Sequence, residues 1–370
     1  MKKTAWLGLV ALAAHPVHAG ETALQSAPVL VTADRFPETE PTLPASVSVI
    51  TRDDIAETPA LDIPDVLKTR AGIQVSPLYG SEGIDAPIDM RGFGETGASN
   101  SLILLDGQRL NPIDMGGIQW AAIPLQAIER IEIIHGGGSV LYGDRATGGV
   151  INLISDKSGQ PHASLTGTLG SYGYRALDGY AAGGGDGGYY TAFLHSSSTD
   201  GWRQNTDSEQ HTLSGRGGYT WGEHEVFIDY SVYHQDYGMP GSIDSRTFHD
   251  DPKHARTPLD NNEKEGYRLR PGISFELTDT LRLDAEVSLS GERQQADNAS
   301  FGSTSDRTLR TLAFTPRLRW QHGLGALDSV TTAGLDYYHG RVDSDSSTFA
   351  SQFARQISRA VYLQNTTRFD

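Results

Sequence analysis

The chain contains no cysteine, so neither a disulfide nor thiol chemistry can contribute to its stability or function. It has no stretch approaching the ~20 consecutive apolar residues that a membrane-crossing helix needs. Basic residues are in the minority, 30 Lys and Arg against 46 Asp and Glu, for a formal charge of −16. That balance argues against nucleic acid or an anionic lipid surface as the partner of the whole molecule. Neither H-E-x-x-H nor G-x-S-x-G occurs, so no metal-hydrolase helix or serine elbow is on offer and the chain does not read as an enzyme. No cofactor is called for either.

What is present begins with an export leader. Met1-Lys2-Lys3, an apolar run over residues 5–14 and a small-residue site ending at Ala19 read as a signal peptide over residues 1–19. Glycine is abundant, 42 residues, and only 37% of the chain is hydrophobic, which suits strands that are half polar. From Gly159 onward the period is two. Leu281, Leu283, Ala285, Val287 and Leu289 alternate with Arg282, Asp284, Glu286 and Ser288, and Val226, Ile228, Tyr230 and Val232 behave alike. Ten strands are expected near 162–170, 174–183, 188–197, 209–219, 223–235, 267–277, 280–291, 308–321, 327–342 and 357–370. Their connections alternate between tight turns and long segments at 198–208, 236–266, 292–307 and 343–356. That asymmetry marks a transmembrane up-and-down barrel more than a lipocalin-type barrel or a sandwich.

Residues 40–157 are different, a mixed α+β pattern large enough for its own core. Strands are expected at Val47–Ile50 and Leu102–Leu105, a helix start at Thr51–Asp54, and a short helix over Ile63–Thr69. The stretch from Glu129 to Ser155 reads strand, glycine turn, strand, with six glycines between 136 and 149. Gly92 to Gly97 matches G-x-G-x-x-G, but the strand expected from Asn100 and the lack of a parallel βαβ unit speak against a nucleotide site. His249, Asp250, Asp251 and His254 have metal-like chemistry, yet a polar loop is the simpler account.

Taken together, several motifs resemble the TonB-dependent outer-membrane receptor family. They are the segment Pro28, Val29, Leu30, Val31, Thr32, Ala33; Met90-Arg91-Gly92-Phe93-Gly94; Leu104-Leu105-Asp106-Gly107; Ile128 to Ile133; and Leu141-Tyr142-Gly143 with Gly148 to Asn152. The resemblance implies an N-terminal tail (20–39) whose residues 28–33 are a TonB box, an α+β plug domain (40–157), and a transmembrane antiparallel β-barrel that is incomplete here, about ten strands over 158–370. It implies a Gram-negative cell outer membrane location and partners in TonB with its inner-membrane complex, outer-membrane lipid and a small metal-chelate ligand: a ferric siderophore, with haem or cobalamin as alternatives. Where the family has Arg-Gly-Pro, this chain has His135-Gly136-Gly137. Aromatic and imidazole groups at Tyr233, Tyr237, Met239, His249 and His254 are the candidate ligand contacts, on or near the longest loop.

Length sets one more expectation. Family barrels have about 22 strands. Ten strands would close at a radius of roughly 10 Å, too narrow for a plug with a radius of gyration of about 14 Å. The sequence therefore reads as the N-terminal piece of a longer receptor or as a truncated product. Competing functions are a passive pore or adhesin with a plug-like domain, which needs no energy-coupling segment, and a soluble periplasmic binding protein, which would not fractionate with membranes.

Overall fold

The computed structural model describes residues 46–79, 84–114, 116–157, 159–325 and 327–367. The export leader and residues 28–33 lie outside them. Two bodies of secondary structure follow one another along the chain, a small α+β unit and a large antiparallel sheet that curves around it.

The small unit is built on a five-stranded sheet: β1 (Ser46–Thr51), β4 (Ser101–Leu105), β5 (Gln108–Arg109), β6 (Ile128–His135) and β7 (Gly149–Ser155), in the order β1-β6-β7-β4-β5. β-Branched residues fill its centre. Ile131, Ile133, Ile151 and Leu153 are fully buried, which at roughly 1.5–3 kcal/mol per side chain makes this pair of strands the hydrophobic anchor of the unit. The helix expected after Thr51 is α1 (Arg52–Ala56). It starts with reciprocal capping: Thr51 Oγ1 accepts from the Asp54 amide at 3.2 Å, and Asp54 accepts from the Thr51 amide at 2.8 Å. α2 (Ile63–Leu67) is capped by Asp62, and Ile63, Val66 and Leu67 turn into the core. β2 (Ile73–Val75) and β3 (Ile88–Met90) form a separate pair.

Three sequence expectations change here. The stretch 129–155 is not a simple hairpin, because α4 (Ser139–Tyr142) interrupts the glycine turn; the other four-residue helix, α3 (Gly97–Asn100), comes just before β4. The strand expected from Asn100 starts at Ser101, since Asn100 belongs to α3. A parallel pair does exist, β4 with β7, although no helix crosses between them directly.

The large sheet contains β8 (His162–Leu169), β9 (Arg175–Gly185), β10 (Gly188–Thr199), β11 (Ser208–Trp221), β12 (His224–Gly238), β13 (Asn261–Thr278), β14 (Leu281–Asn298), β15 (Ser303–Phe314), β16 (Arg317–Leu324), β17 (Leu327–Ser346) and β18 (Gln352–Thr367). The strand expected over 308–321 is two segments, β15 and β16. They run between the same neighbours in unbroken register, Val287↔Phe314 continuing as Asp284↔Arg317. Pro316, which has no amide to donate, sits at the break. Ten strand positions therefore remain. Among the described residues β8 pairs only with β9 and β18 only with β17, so the sheet is open, not hydrogen-bonded into a closed barrel.

The expected long loops are partly strand. β13 and β14 are 18 residues each and β17 is 20, about 60 Å along the strand at ~3.3 Å per residue. Of the segment 236–266 only 239–260 remains as connection, carrying α5 (Ser245–Asp250), and 292–307 shrinks to a four-residue link at 299–302. The ends still differ. Links at 186–187, 222–223 and 279–280 are minimal, and the longest connections all lie at the opposite end.

Alternation divides the faces. Outward, Tyr190, Leu194, Leu213, Trp221, Ile228, Val232, Leu269, Leu289, Leu312, Phe314, Leu318 and Trp320 are all exposed. Inward, Ser197, Gln210, Thr212, Arg216, Gln235, Arg270 and Glu286 are buried against the small unit. An apolar outside around a polar inside is the reverse of a soluble domain.

Candidate functional site

The small unit is held to the wall by charge as well as shape. Asp106, in the Asp106–Gly107 turn between β4 and β5, has φ of 51° and Gly107 has φ of 82°. That left-handed pair closes a two-residue hairpin and sets the carboxylate between the end of β7 and the wall. Asp106 accepts from Arg270 of β13 at 2.8 Å, from Lys157 at 2.8 Å and from Ser155 Oγ at 2.7 Å. Arg270 also contacts Asp229 and lies 3.5 Å from Glu286, while Asp229 accepts from Arg216 at 2.5 Å. Burial alone would raise the Asp106 carboxyl, but Lys157, Arg270 and Arg216 outweigh it and hold it well below the usual carboxylate range. Burial pushes the Lys157 ammonium down, with Asp106 opposing.

A second tie joins the two bodies nearer the end with long connections. Asp85 accepts from Tyr237 at 2.7 Å and from Lys264 at 2.5 Å, Asn262 donates to Tyr237 at 2.6 Å, and Tyr79 packs on the Tyr237 ring at 5.5 Å.

Between these ties lies a cavity of about 620 Å³. Its floor is the 108–119 segment with Tyr79, Glu95 and Arg145; its wall is the inner face of β12 to β15, β17 and β18. Three of its cations are matched: Arg109 to Asp144, Lys264 to Asp85, and Arg307 to Glu292 at 2.8 Å and to Asp114. Two are not. Arg268 on β13 borders the cavity with no hydrogen bond or ion pair among the described residues. Arg145, at φ of 67°, reaches only the Asp114 carbonyl among the described residues, at 3.4 Å. Burial and the neighbouring Arg109 push the Arg145 guanidinium down from its ordinary value. Such a site is polar, cationic in excess and large enough for a multidentate small molecule.

The sequence-derived contacts divide. Tyr233 lines the cavity, and its hydroxyl donates to Glu292 at 2.9 Å. Tyr237 is buried one layer behind, in the Asp85 tie. Met239 is half-buried beyond β12; its carbonyl accepts from Thr257 at 2.6 Å. His249 on α5 and His254 are exposed on the 239–260 connection and do not border the cavity. Among the described residues no group of His, Asp or Glu side chains is arranged to hold a metal ion. Sequence reasoning missed Arg145 and Arg268. The one available signal was Arg268 falling on the inward register of its strand. The G-x-G-x-x-G turn proves to be filled from within, because Asp89 accepts from the Phe93 amide at 3.0 Å and the Gly94 amide at 2.7 Å. Two of the amides that would face a phosphate are thus already taken by a carboxylate of the chain itself.

Comparison with known proteins agrees with this geometry. Residues 40–150 match the model of the TonB-dependent Receptor Plug Domain. A vitamin B12 transporter of Photobacterium profundum is 28% identical over 355 residues, covering 92% of this chain and 54% of that protein. One from Vibrio vulnificus is 42% identical over 137 residues, 37% of this chain and 22% of the relative. Among solved structures, the unliganded ferric citrate transporter superposes with a TM-score of 0.75 at 18% identity, covering 88% of this chain and 54% of that one. The open form of a ferric-catecholate import receptor from E. coli K12 gives 0.69 at 17% identity, over 90% and 58%. The chain thus spans about half the length of the relatives it matches end to end. It carries a TonB-dependent receptor plug domain, followed by a wall of strands with the fold of the TonB-dependent receptor barrel.

Proposed function

We propose that this protein serves TonB-dependent uptake of a small ligand across the outer membrane. In this reading residues 20–39 are a periplasmic tail with the TonB box at 28–33, residues 40–157 the plug, and residues 158–370 part of a lipid-embedded barrel. The observation that carries it is the cavity itself, enclosed by the plug's 108–119 segment and the inner wall, on the side where the long connections lie. A membrane without a nucleotide supply needs work delivered from elsewhere, and an extended segment docking as an added strand can transmit a pull through several backbone hydrogen bonds. The outward apolar face supports embedding in lipid.

For cargo, the sequence relatives named above are vitamin B12 transporters. The ferric-chelate structures share a fold at 17–18% identity and carry no argument about ligand. A corrinoid is accordingly the first ligand to test, with ferric siderophores second.

The test uses cells lacking their own cobalamin receptor and expressing the full-length protein. Labelled cobalamin and a panel of ferric siderophores are offered to wild type and to Leu30→Pro, which removes one amide donor from the segment. Surface binding without uptake in the variant supports the reading. Undiminished uptake by Leu30→Pro overturns the docking assignment, and loss of binding to every member of the panel overturns the receptor reading.

A further inference from the structure

A net charge of −16 describes the whole molecule, and it hides one local reversal. Leu309 and Thr311 of β15, Tyr338 of β17, and Gln356 and Ser358 of β18 border the internal cavity. Alternation along a strand therefore turns Arg310, Arg341 and Arg355 to the outside, and all three are exposed. They are also in register, Arg310 opposite Arg341 and Arg341 opposite Arg355. Three like charges share one rung, within about 10 Å at ~4.8 Å per strand. Like charges set directly opposite destabilise a sheet.

The surroundings relieve this only in part. Asp343 pairs with Arg341 at 2.7 Å, and Arg355 Nε lies 3.0 Å from His339 Nε2. Arg310 has no hydrogen bond or ion pair among the described residues. Two more arginines flank the row: Arg293, bonded to Asp306, and Arg359, 5.9 Å from the centre of the Tyr337 ring. Five arginines thus meet three aspartates, Asp306, Asp343 and, opposite Asp306, Asp345, on this patch of an acidic protein.

The height of the row is informative. Along β16 and β15, Trp320, Leu318, Phe314 and Leu312 form the outward apolar series, and Arg310 is the next outward position. Ten residues from Trp320 to Arg310 span about 33 Å along the strand. A tilt of roughly 40° reduces that to about 25 Å, the height of the apolar band of an outer-membrane barrel. The row therefore stands where acyl chains end and headgroups begin, on the long-connection side. Immediately beneath it is the rung Leu289, Leu312, His339, Ile357.

We propose that Arg310, Arg341 and Arg355 hold the phosphate groups of an outer-leaflet phosphoglycolipid, whose acyl chains lie on the Leu289–Leu312–Ile357 surface. Guanidinium forks pair bidentately with phosphate and tolerate close packing when an anion bridges them. A soluble anion would gain nothing from the apolar rung below, and a neutral lipid would gain nothing from the row. The inference rests on the wall spanning the outer membrane.

The test is native mass spectrometry of the full-length protein in detergent, titrated with bis-phosphorylated lipid A and with its dephosphorylated form. Wild type is expected to retain the phosphorylated lipid at least tenfold better. Arg310→Gln with Arg355→Gln should lower that retention by roughly tenfold, and Arg310→Lys with Arg355→Lys, which keeps the charge without the fork, should restore only part of it, which separates charge from a folding defect. Equal retention by the Gln pair, or of the dephosphorylated lipid, overturns the proposal. Full competition by millimolar inorganic phosphate overturns the lipid assignment in favour of a soluble anion. Protease protection of the wall in vesicles keeps the two readings apart. A wall that fails to insert sinks the uptake reading, whereas an inserted wall indifferent to lipid phosphate sinks only this inference.

Discussion

Replacing Asp106 by Asn isolates the charge that fastens plug to wall. Asn accepts the left-handed backbone at φ 51° as well as Asp does, so the turn survives. The replacement keeps the size of the side chain and leaves a carbonyl for the Ser155 amide, 3.1 Å away. What it removes is the anion shared by Arg270 and Lys157. Removing one partner of a buried pair costs about 3–5 kcal/mol. Arg270 keeps Asp229 and Glu286, and the Lys157 side chain is 37% exposed, so the cost falls to or just below the bottom of that range, about 2–3 kcal/mol. The sign with pH follows from the depressed carboxyl. Its stabilisation is present above the unfolded-state value of about 4 and is lost as pH falls from there toward the folded-state value. Thermal melts of the full-length protein in detergent, read by the fluorescence of buried Trp120, should show wild type several degrees above the variant from pH 5 to 8. The gap should narrow below pH 4. A variant that melts with wild type at pH 7, or a gap unchanged at pH 3, would refute the argument that this ion cluster fastens the plug.

Two other substitutions probe separate features. A Cβ at Gly148 would stand 2.9 Å from the Met90 carbonyl and 3.0 Å from that of Asn100. Because backbone cannot step aside, Gly148→Ala should destabilise the plug by about 1–3 kcal/mol, seen as a lower melting temperature. Arg268→Gln removes one of the two unmatched cations from the cavity. Ligand affinity should fall at least tenfold while the melting temperature holds or rises, since a half-buried unpaired charge is relieved; unchanged affinity would remove Arg268 from the site.

Much of the fold could be read from residues whose signal is local. The strand of Val47 to Ile50, the cap at Thr51 with Asp54, the buried run Leu102 to Leu105 and the ten strand positions all announce themselves by periodicity or capping chemistry. What escaped lies above the apolar band. Residues 261–266, Asn-Asn-Glu-Lys-Glu-Gly, and 292–298 carry no alternation because both their faces are polar, yet each has partner strands on both sides and extends with them. Pairing, not propensity, decides such segments. The candidate site was legible only in Tyr233. Arg145 reaches the cavity through a left-handed backbone position that nothing in its neighbours specifies. His249 and His254 drew attention by chemistry alone, and the fold leaves them outside.

The absence of cysteine makes the energy-coupling step directly testable. Among the described residues β1 is the edge of the plug sheet, bonded only to β6. Of its residues only Ile50 is fully buried, with Val47 and Val49 packed partly on the cluster around Ile134. Under the proposed coupling, a pull on the chain ahead of Ser46 would load the least buried strand first, while β6, β7 and β4 keep their shared core. Val47 and Ile134 are cross-strand partners. Partners in such a ladder have Cα atoms about 4.5–5.5 Å apart, within reach of a disulfide. In a protein without other thiols, Val47→Cys with Ile134→Cys should form one crosslink that pins β1 to the sheet. If opening begins by peeling β1, the oxidised double variant should bind ligand like wild type yet fail to transport it, and reduction should restore uptake. Transport at the wild-type rate by the crosslinked protein would show that β1 can stay in place while ligand passes, and that the plug yields elsewhere or moves as one body.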